Sequence, residues 1–212
     1  MSSIKVHYFP GYGRAEAIRM LLAHAQVPFE NVNYTFAELP AAKESGNLEF
    51  GQLPVVEIDG KFHSQSGAIL RLVGSKYGYY PQDALTAYRI DSILDFINDL
   101  LNSFYKATFA PTEEEKKTLM ETFYEGAFTK WVSIIDKKVA DNSSQSFIVG
   151  DSLTIADFGL ASVAYGTFYN EANPNKEVQA AIVAKFPTAE KYFKGLGETL
   201  KEYLATRPAC PW

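Results

Sequence analysis

The chain has 212 residues, enough for one large domain or two small ones, and 47% of them are apolar, so a sizeable core is within reach. The net charge is −5 with acidic and basic residues interleaved, which argues against nucleic acid as the main partner. No apolar run approaches the roughly 18 residues a bilayer crossing needs, so no membrane partner is expected.

Residues 1–4 lead straight into an apolar alternation, with no leader pattern. The lone Cys210 excludes an internal disulfide framework and fits a reducing, cytoplasmic compartment. It reads as a surface residue near the chain end. His7, His24 and His63 are scattered without metal-ligand spacing, so no metal is expected.

Residues 4–8 (IKVHY) alternate and predict a strand. Ile18, Leu21, Leu22 and Ala25 share one face of a helix over 14–25, which Val27-Pro28 ends. A second strand is expected over 29–34. Residues 35–50 read as irregular, with one helical turn. VVEI, Asp59-Gly60 and KFH read as a hairpin on an Asp-Gly turn. Residues 66–77 predict a helix. The N-terminal order is β-α-β-loop-β-β-α, with a parallel crossover and an antiparallel hairpin in one sheet.

After Tyr77 the composition changes. Residues 78–84 (GYYPQDA) form a short linker, and beyond it no strand pattern survives. Ile90, Ile93, Leu94, Ile97, Leu101 and Phe104 mark one long helix, and Met120 through Ile135 mark a second. A third begins at Thr154, where Asp157 completes a capping box and Leu153 and Phe158 a hydrophobic staple. Further helices are expected near 177–185 and 188–204. The fold class is a small α/β domain followed by an all-helical domain.

Three stretches carry chemistry. Leu53-Pro54 precedes a strand and is either a cis bond or an ordinary trans proline at a strand start. A cis bond would leave the Leu53 backbone groups open to an extended peptide. Ser66 is a helix N-cap, and the N–H groups beyond it favour an anion. Together they imply a small peptide ligand with a carboxylate at one end. Tyr8 closes the first strand where a helix begins. A phenol titrating near ~10 stays protonated at neutral pH and can donate to a thiolate, which lowers that thiol's pKa. A drop of about two units corresponds to roughly 2.7 kcal/mol, the size of one charge-assisted hydrogen bond. Arg14 opposes the helix dipole and needs an anion, either an internal carboxylate or the ligand's charge.

YFPGYGRAEAIRMLL, FGQLPVVEIDG, SQSGAILRLVG and FIVGDSLTIADF resemble, in order and spacing, cytosolic glutathione S-transferases. The resemblance spans the chain and is nearest the tyrosine-type group, with sigma-like (GRAEAIR) and pi-like (YFP, RMLLA, GQLP, FIVGD) features. It implies a thioredoxin-like domain over 1–79 with a mixed four-stranded sheet, a helical-bundle domain over 84–212, and a homodimer. It implies glutathione as co-substrate and Tyr8 as the thiolate-stabilising donor, supported by Arg14. Lys43 would approach the glycyl carboxylate, Gln52 and the Leu53 backbone would hold the cysteinyl part with Pro54 cis, and Gln65 and Ser66 would take the γ-glutamyl end. Asp99 would reach that end from the neighbouring subunit. Leu39 stands where many relatives carry an indole, so weaker glutathione binding is expected.

Family position makes Phe9, Tyr12, Leu101, Phe104, Tyr105, Gly159 and Val163 candidate walls of the electrophile pocket. Gly159 would widen it. Asp95, Asn98 and Asp99 share one side of the long helix, where a solvated polar face is the better reading than a metal site. The implied activity is attack of glutathione thiolate on an apolar electrophile. Alternatives are a glutathione-dependent prostaglandin isomerase or peroxidase, and a non-catalytic ligand-binding or structural member of the family. A thiol–disulfide oxidoreductase fails, because the chain has no Cys-x-x-Cys.

Overall fold

The computed structural model describes residues 3–211; Met1, Ser2 and Trp212, at the ends of the expected domain spans, lie outside the described residues. The N-terminal half is a four-stranded sheet of order β2-β1-β3-β4. Strand β1 (Ile4–Tyr8) pairs in parallel with β2 (Glu30–Asn33) across helix α1 (Glu16–His24). It pairs antiparallel with β3 (Val55–Ile58), which turns at Asp59-Gly60 into β4 (Lys61–Ser64). Asp59 and Gly60 both have positive φ, 49° and 79°, the backbone that matches a tight hairpin to strand twist. Helix α2 (Leu39–Glu44) is the single short helix within 35–50. Helix α3 (Ser66–Tyr77) ends at Gly78 in the left-handed conformation.

From Ala84 the described chain is helical and strand-free: α4 (Ala84–Thr108), α5 (Glu113–Thr122), α6 (Thr129–Asp141), α7 (Ile155–Gly166), α8 (Lys176–Val183), α9 (Pro187–Thr199) and α10 (Lys201–Thr206). The fold is therefore the expected thioredoxin-like α/β domain followed by a helical bundle. Two expected helices are interrupted. The 188–204 helix breaks at Leu200. Between α5 and α6 the helix widens into a π turn, Phe123–Phe128, whose carbonyl at Tyr124 accepts the Thr129 hydroxyl at 2.6 Å.

The domains pack through α7, which is apolar on nearly all faces. Ile155, Phe158, Leu160, Ala161 and Ala164 are fully buried. Burial of each large side chain here is worth roughly 1.5–3 kcal/mol. Gly74 of α3 lies so close to Ile155 that a Cβ would collide with it, so the small residue sets the approach of α3 to α7. At the α7 start the Asp157 carboxylate accepts from the Thr154 N–H (2.8 Å), its hydroxyl (2.9 Å), the Ile148 N–H (2.9 Å) and the Tyr192 hydroxyl (2.7 Å). Burial raises its pKa despite these four donors.

Cys210 is a correction. It is buried at 8% exposure, with its Sγ 3.4 Å from the Pro10 carbonyl and its N–H on the Tyr12 hydroxyl. The C-terminal tail folds back across the N-terminal domain and covers it.

Candidate active site

A cavity of about 710 Å³ opens between the sheet domain and helices α4 and α7. Tyr8 sits on its wall at the end of β1, 7% exposed. Its phenolic oxygen accepts the Arg14 N–H at 3.1 Å. That N–H is one of the donors a helix start leaves unpaired. The Tyr8 hydroxyl donates to no partner among the described residues, so its hydrogen can go to a ligand. Burial raises the Tyr8 pKa, while the Arg14 N–H and the charges of Arg14 and Arg19 pull it back. The phenol is therefore a neutral donor at physiological pH.

Gly13 makes this geometry possible. Its φ is +40°, and a Cβ there would run into the Tyr8 hydroxyl. Arg14 follows in a short 3₁₀ turn and reaches α4, donating to Asn98 Oδ1 at 2.7 Å and Asn102 Oδ1 at 2.9 Å. Its guanidinium lies 5.5 Å from the Tyr105 ring centre. Among the described residues no carboxylate pairs with Arg14, so two amide oxygens and an aromatic face hold a cation whose charge remains available to the cavity. Tyr105 itself is pushed up to about 12 by burial, then by the nearby Tyr8.

The same cavity is lined by Leu39, Lys43, Gln52, Leu53, Pro54, Gln65 and Ser66 from the sheet domain. The Leu53-Pro54 bond is cis. Gln65, not Ser66, holds the N-cap place, with φ +70°; Ser66 is the first helical residue. Phe9, next to Tyr8, joins them from the sheet domain, and from the helical side come Leu101, Phe104, Tyr105 and Val163.

Two residues expected on this wall, Tyr12 and Gly159, are elsewhere. Tyr12 is not on the cavity wall; its hydroxyl donates to the Pro208 carbonyl at 2.9 Å and its ring lies 3.9 Å beneath the Arg207 guanidinium. Gly159 packs α7 against α4, where a Cβ would come within 2.9 Å of Ile97 and 3.1 Å of Leu94, so it does not widen the cavity. Asp99 is exposed on α4, off the cavity wall, as is Asp95. Among the described residues no group of three His, Cys, Asp or Glu side chains could hold a metal ion.

Several wall residues escaped the sequence reading. Phe36 stacks on Phe9 at 4.6 Å between ring centres. Phe123 and Phe128, five residues apart, would point about 140° apart on an α-helix; the π turn brings both to the cavity. An aromatic pair at i, i+5 is the signal that could have marked this turn.

The comparisons with known proteins decide the family. The profile "Glutathione S-transferase, N-terminal domain" matches residues 4–75, and "Glutathione S-transferase, C-terminal domain" matches residues 98–207. The chain belongs to the glutathione S-transferase family. It is 34% identical over 210 residues to human glutathione S-transferase A3, covering 98% of this chain and 89% of the relative. It is 32% identical to mouse glutathione S-transferase A4, covering 94% and 87%. Among solved structures, a Nu-class transferase from Haemonchus contortus superposes with a TM-score of 0.82 at 32% identity, covering both chains fully. A hookworm glutathione S-transferase from Necator americanus, described as monomeric, gives 0.84 at 30% identity over 99% of this chain and all of that one. In this transferase the cavity joins the two family domains, and Tyr8 belongs to the first of them.

Proposed function

We propose that this glutathione transferase is of the tyrosine type: Tyr8 donates a hydrogen bond to the sulfur of glutathione and holds it as thiolate, which attacks an apolar electrophile to form a thioether. The observation that carries this is the Tyr8 hydroxyl itself. Its oxygen is tied to the Arg14 N–H at 3.1 Å, and its hydrogen faces no internal acceptor among the described residues. Donation to a thiolate favours the charged form, and the uncompensated Arg14 charge acts the same way. Proximity supplies the rest, because thiolate sulfur is already a strong nucleophile.

In this reading Lys43 meets the glycyl carboxylate, Gln52 and the Leu53 backbone hold the cysteinyl part, and Gln65 and Ser66 bind the γ-glutamyl end. Leu39 lacks the indole donor of many relatives, so glutathione is held less tightly. Phe9, Leu101, Phe104, Tyr105 and Val163 receive the electrophile. The domains divide at 80–83, between 1–79 and 84–212; the last strand ends at Ser64 and the bundle starts at Ala84. The motif pattern favours a sigma-like class with pi-like features. The enzyme is cytoplasmic, in keeping with its single cysteine. No described helix is long and apolar enough to cross a membrane.

A homodimer is part of the proposal. Leu72, Leu85 and Tyr88 leave an exposed apolar face on α3 and α4, at 43%, 57% and 66% exposure, which a second copy would cover. Asp99 would then complete the partner's glutathione site. A monomer at micromolar concentration in analytical ultracentrifugation would remove that role.

The main test is conjugation of a chromogenic aryl halide by wild type and Tyr8→Phe, with ultraviolet titration of bound thiol. Loss of turnover with glutathione still bound supports the mechanism. Equal thiol pKa in the two proteins would place the donor elsewhere.

A further inference from the structure

One corner of the cavity is polar and is not needed for glutathione. Gln179, in the first turns of α8, is only 2% exposed, yet it lies on the cavity wall. Its Oε1 accepts the Asn173 Nδ2 at 2.8 Å, and Asn173 is held in turn by the Thr167 carbonyl at 3.0 Å. Fixing the oxygen on Asn173 leaves the Gln179 amide nitrogen with two N–H donors and no partner among the described residues. The residue as a whole is buried, yet this nitrogen is not among the sealed, unpartnered side-chain atoms, so it opens on the cavity and is available to a ligand.

We propose that Gln179, oriented by Asn173, is a specificity-determining subsite that binds a hydrogen-bond acceptor on the apolar tail of the electrophile. The proposal rests on the transferase reading above. The acceptor is neutral. The charged side chains on the cavity wall are Arg14 and Lys43, both from the sheet domain, so a carboxylate beside Gln179 would be buried without a cation. Phe104, Phe123 and Phe128 supply apolar wall for the stem of such a molecule. The substrate class is an elongated electrophile, reactive at one end and carrying a carbonyl, ether or ester oxygen at the other. A purely aliphatic tail would leave the amide unpaired and is discriminated against. Rejection of an analogue that lacks a required polar group is usually stronger than rejection for size.

S-alkyl glutathione conjugates test this directly, because the tripeptide anchors the sulfur and nothing reacts. Calorimetry would compare methyl-ended, methyl-ketone-ended and carboxylate-ended chains of about four to ten carbons on the full-length wild type and Gln179→Met. Wild type should favour the ketone over the methyl end by roughly tenfold at one chain length, with the carboxylate weakest. Gln179→Met should erase that ratio while binding glutathione itself unchanged. A flat ketone-to-methyl ratio at every length in wild type overturns the subsite, and so does an unchanged ratio in the variant. Should the variant not fold, the wild-type length series decides alone. Failure of wild type to bind glutathione at all would instead overturn the parent reading, and the subsite with it.

Discussion

The Arg14 N–H donates to the Tyr8 phenolic oxygen at 3.1 Å, which aims the hydroxyl hydrogen away from the protein and into the cavity. Tyr8→Phe removes that donor while keeping the ring. The thiol of bound glutathione should then rise by about two units, toward its ordinary ~8.5. Turnover near neutrality should fall roughly 10- to 100-fold, because less of the thiol is ionised. Above the ordinary thiol pKa both proteins hold thiolate, so the two rate–pH profiles should converge. Burial keeps the Tyr8 pKa above 10, so the donor itself does not titrate in this range. Parallel profiles at every pH would contradict the role assigned to the hydroxyl.

Gly13→Ala should damage the same contact from the other side. The backbone at +40° disfavours a side chain, and the added methyl meets the Tyr8 hydroxyl. A loss of roughly 1–3 kcal/mol of stability is expected, read from urea unfolding. The sharper sign is chemical. The bound thiol pKa should rise, because the phenol can no longer sit where Arg14 holds it. A destabilised variant with an unaltered thiol pKa would show that Tyr8 tolerates displacement.

These contacts also show what the sequence could and could not reveal. Alternation and the Asp-Gly pair made β1, β3 and β4 readable, and the 66–77 helix appears at the expected residues. Such signals are local. Tyr12 and Gly159 looked like pocket residues because family position says where a residue falls, not which way it faces. Tyr12 turns to Pro208 and Arg207, nearly two hundred residues away in sequence, and Gly159 is taken by the α4–α7 crossing. Gln179 stands between Val178, which is half exposed, and Ala180, and nothing local says that it faces inward. Its burial comes from the Asn173 loop folding beneath it. Cys210 looked exposed because it lies near the end of the chain, yet the tail is tied down by Asn170, whose Nδ2 donates to its carbonyl at 2.8 Å.

Glu16 should be the most stability-critical charge in the molecule. It is fully buried on α1 and meets the Arg207 guanidinium at 2.7 Å, the Tyr203 hydroxyl at 3.1 Å and Arg19 at 3.3 Å. The cluster ties the C-terminal tail to the helix that follows Tyr8. Glu16→Gln leaves two buried guanidinium groups without their carboxylate, a change that typically costs about 3–5 kcal/mol. For a chain of this size that corresponds to a fall in Tm of roughly 6–20 °C. Adding Arg207→Met to Glu16→Leu should cost less than Glu16→Gln alone, because a buried pair replaced by apolar groups leaves less charge uncompensated. Equal or additive losses in urea unfolding would mean the cluster does not act as a unit.

His7 gives the pH dependence a sign. It is buried on β1 with Nδ1 3.1 Å from the Tyr34 hydroxyl and Nε2 3.4 Å from the Glu57 carboxylate, while Lys5 and Glu30 are the other charges acting on it. Burial lowers its pKa below 6.5, and the pull of Glu57 in the opposite direction does not overcome it. On acidification the unfolded chain therefore takes up this proton first. The contribution of His7 to stability is whole above about pH 6.5 and is lost as pH falls through the window beneath it. Urea unfolding at pH 7.5 and pH 5.5 should show a larger drop for wild type than for His7→Gln, whose amide can still meet Tyr34 but does not titrate. The difference between the two proteins isolates His7 from the carboxylates, which titrate lower in both. An equal or larger drop in the variant would mean that the Glu57 carboxylate wins, and that His7 is charged in the folded protein.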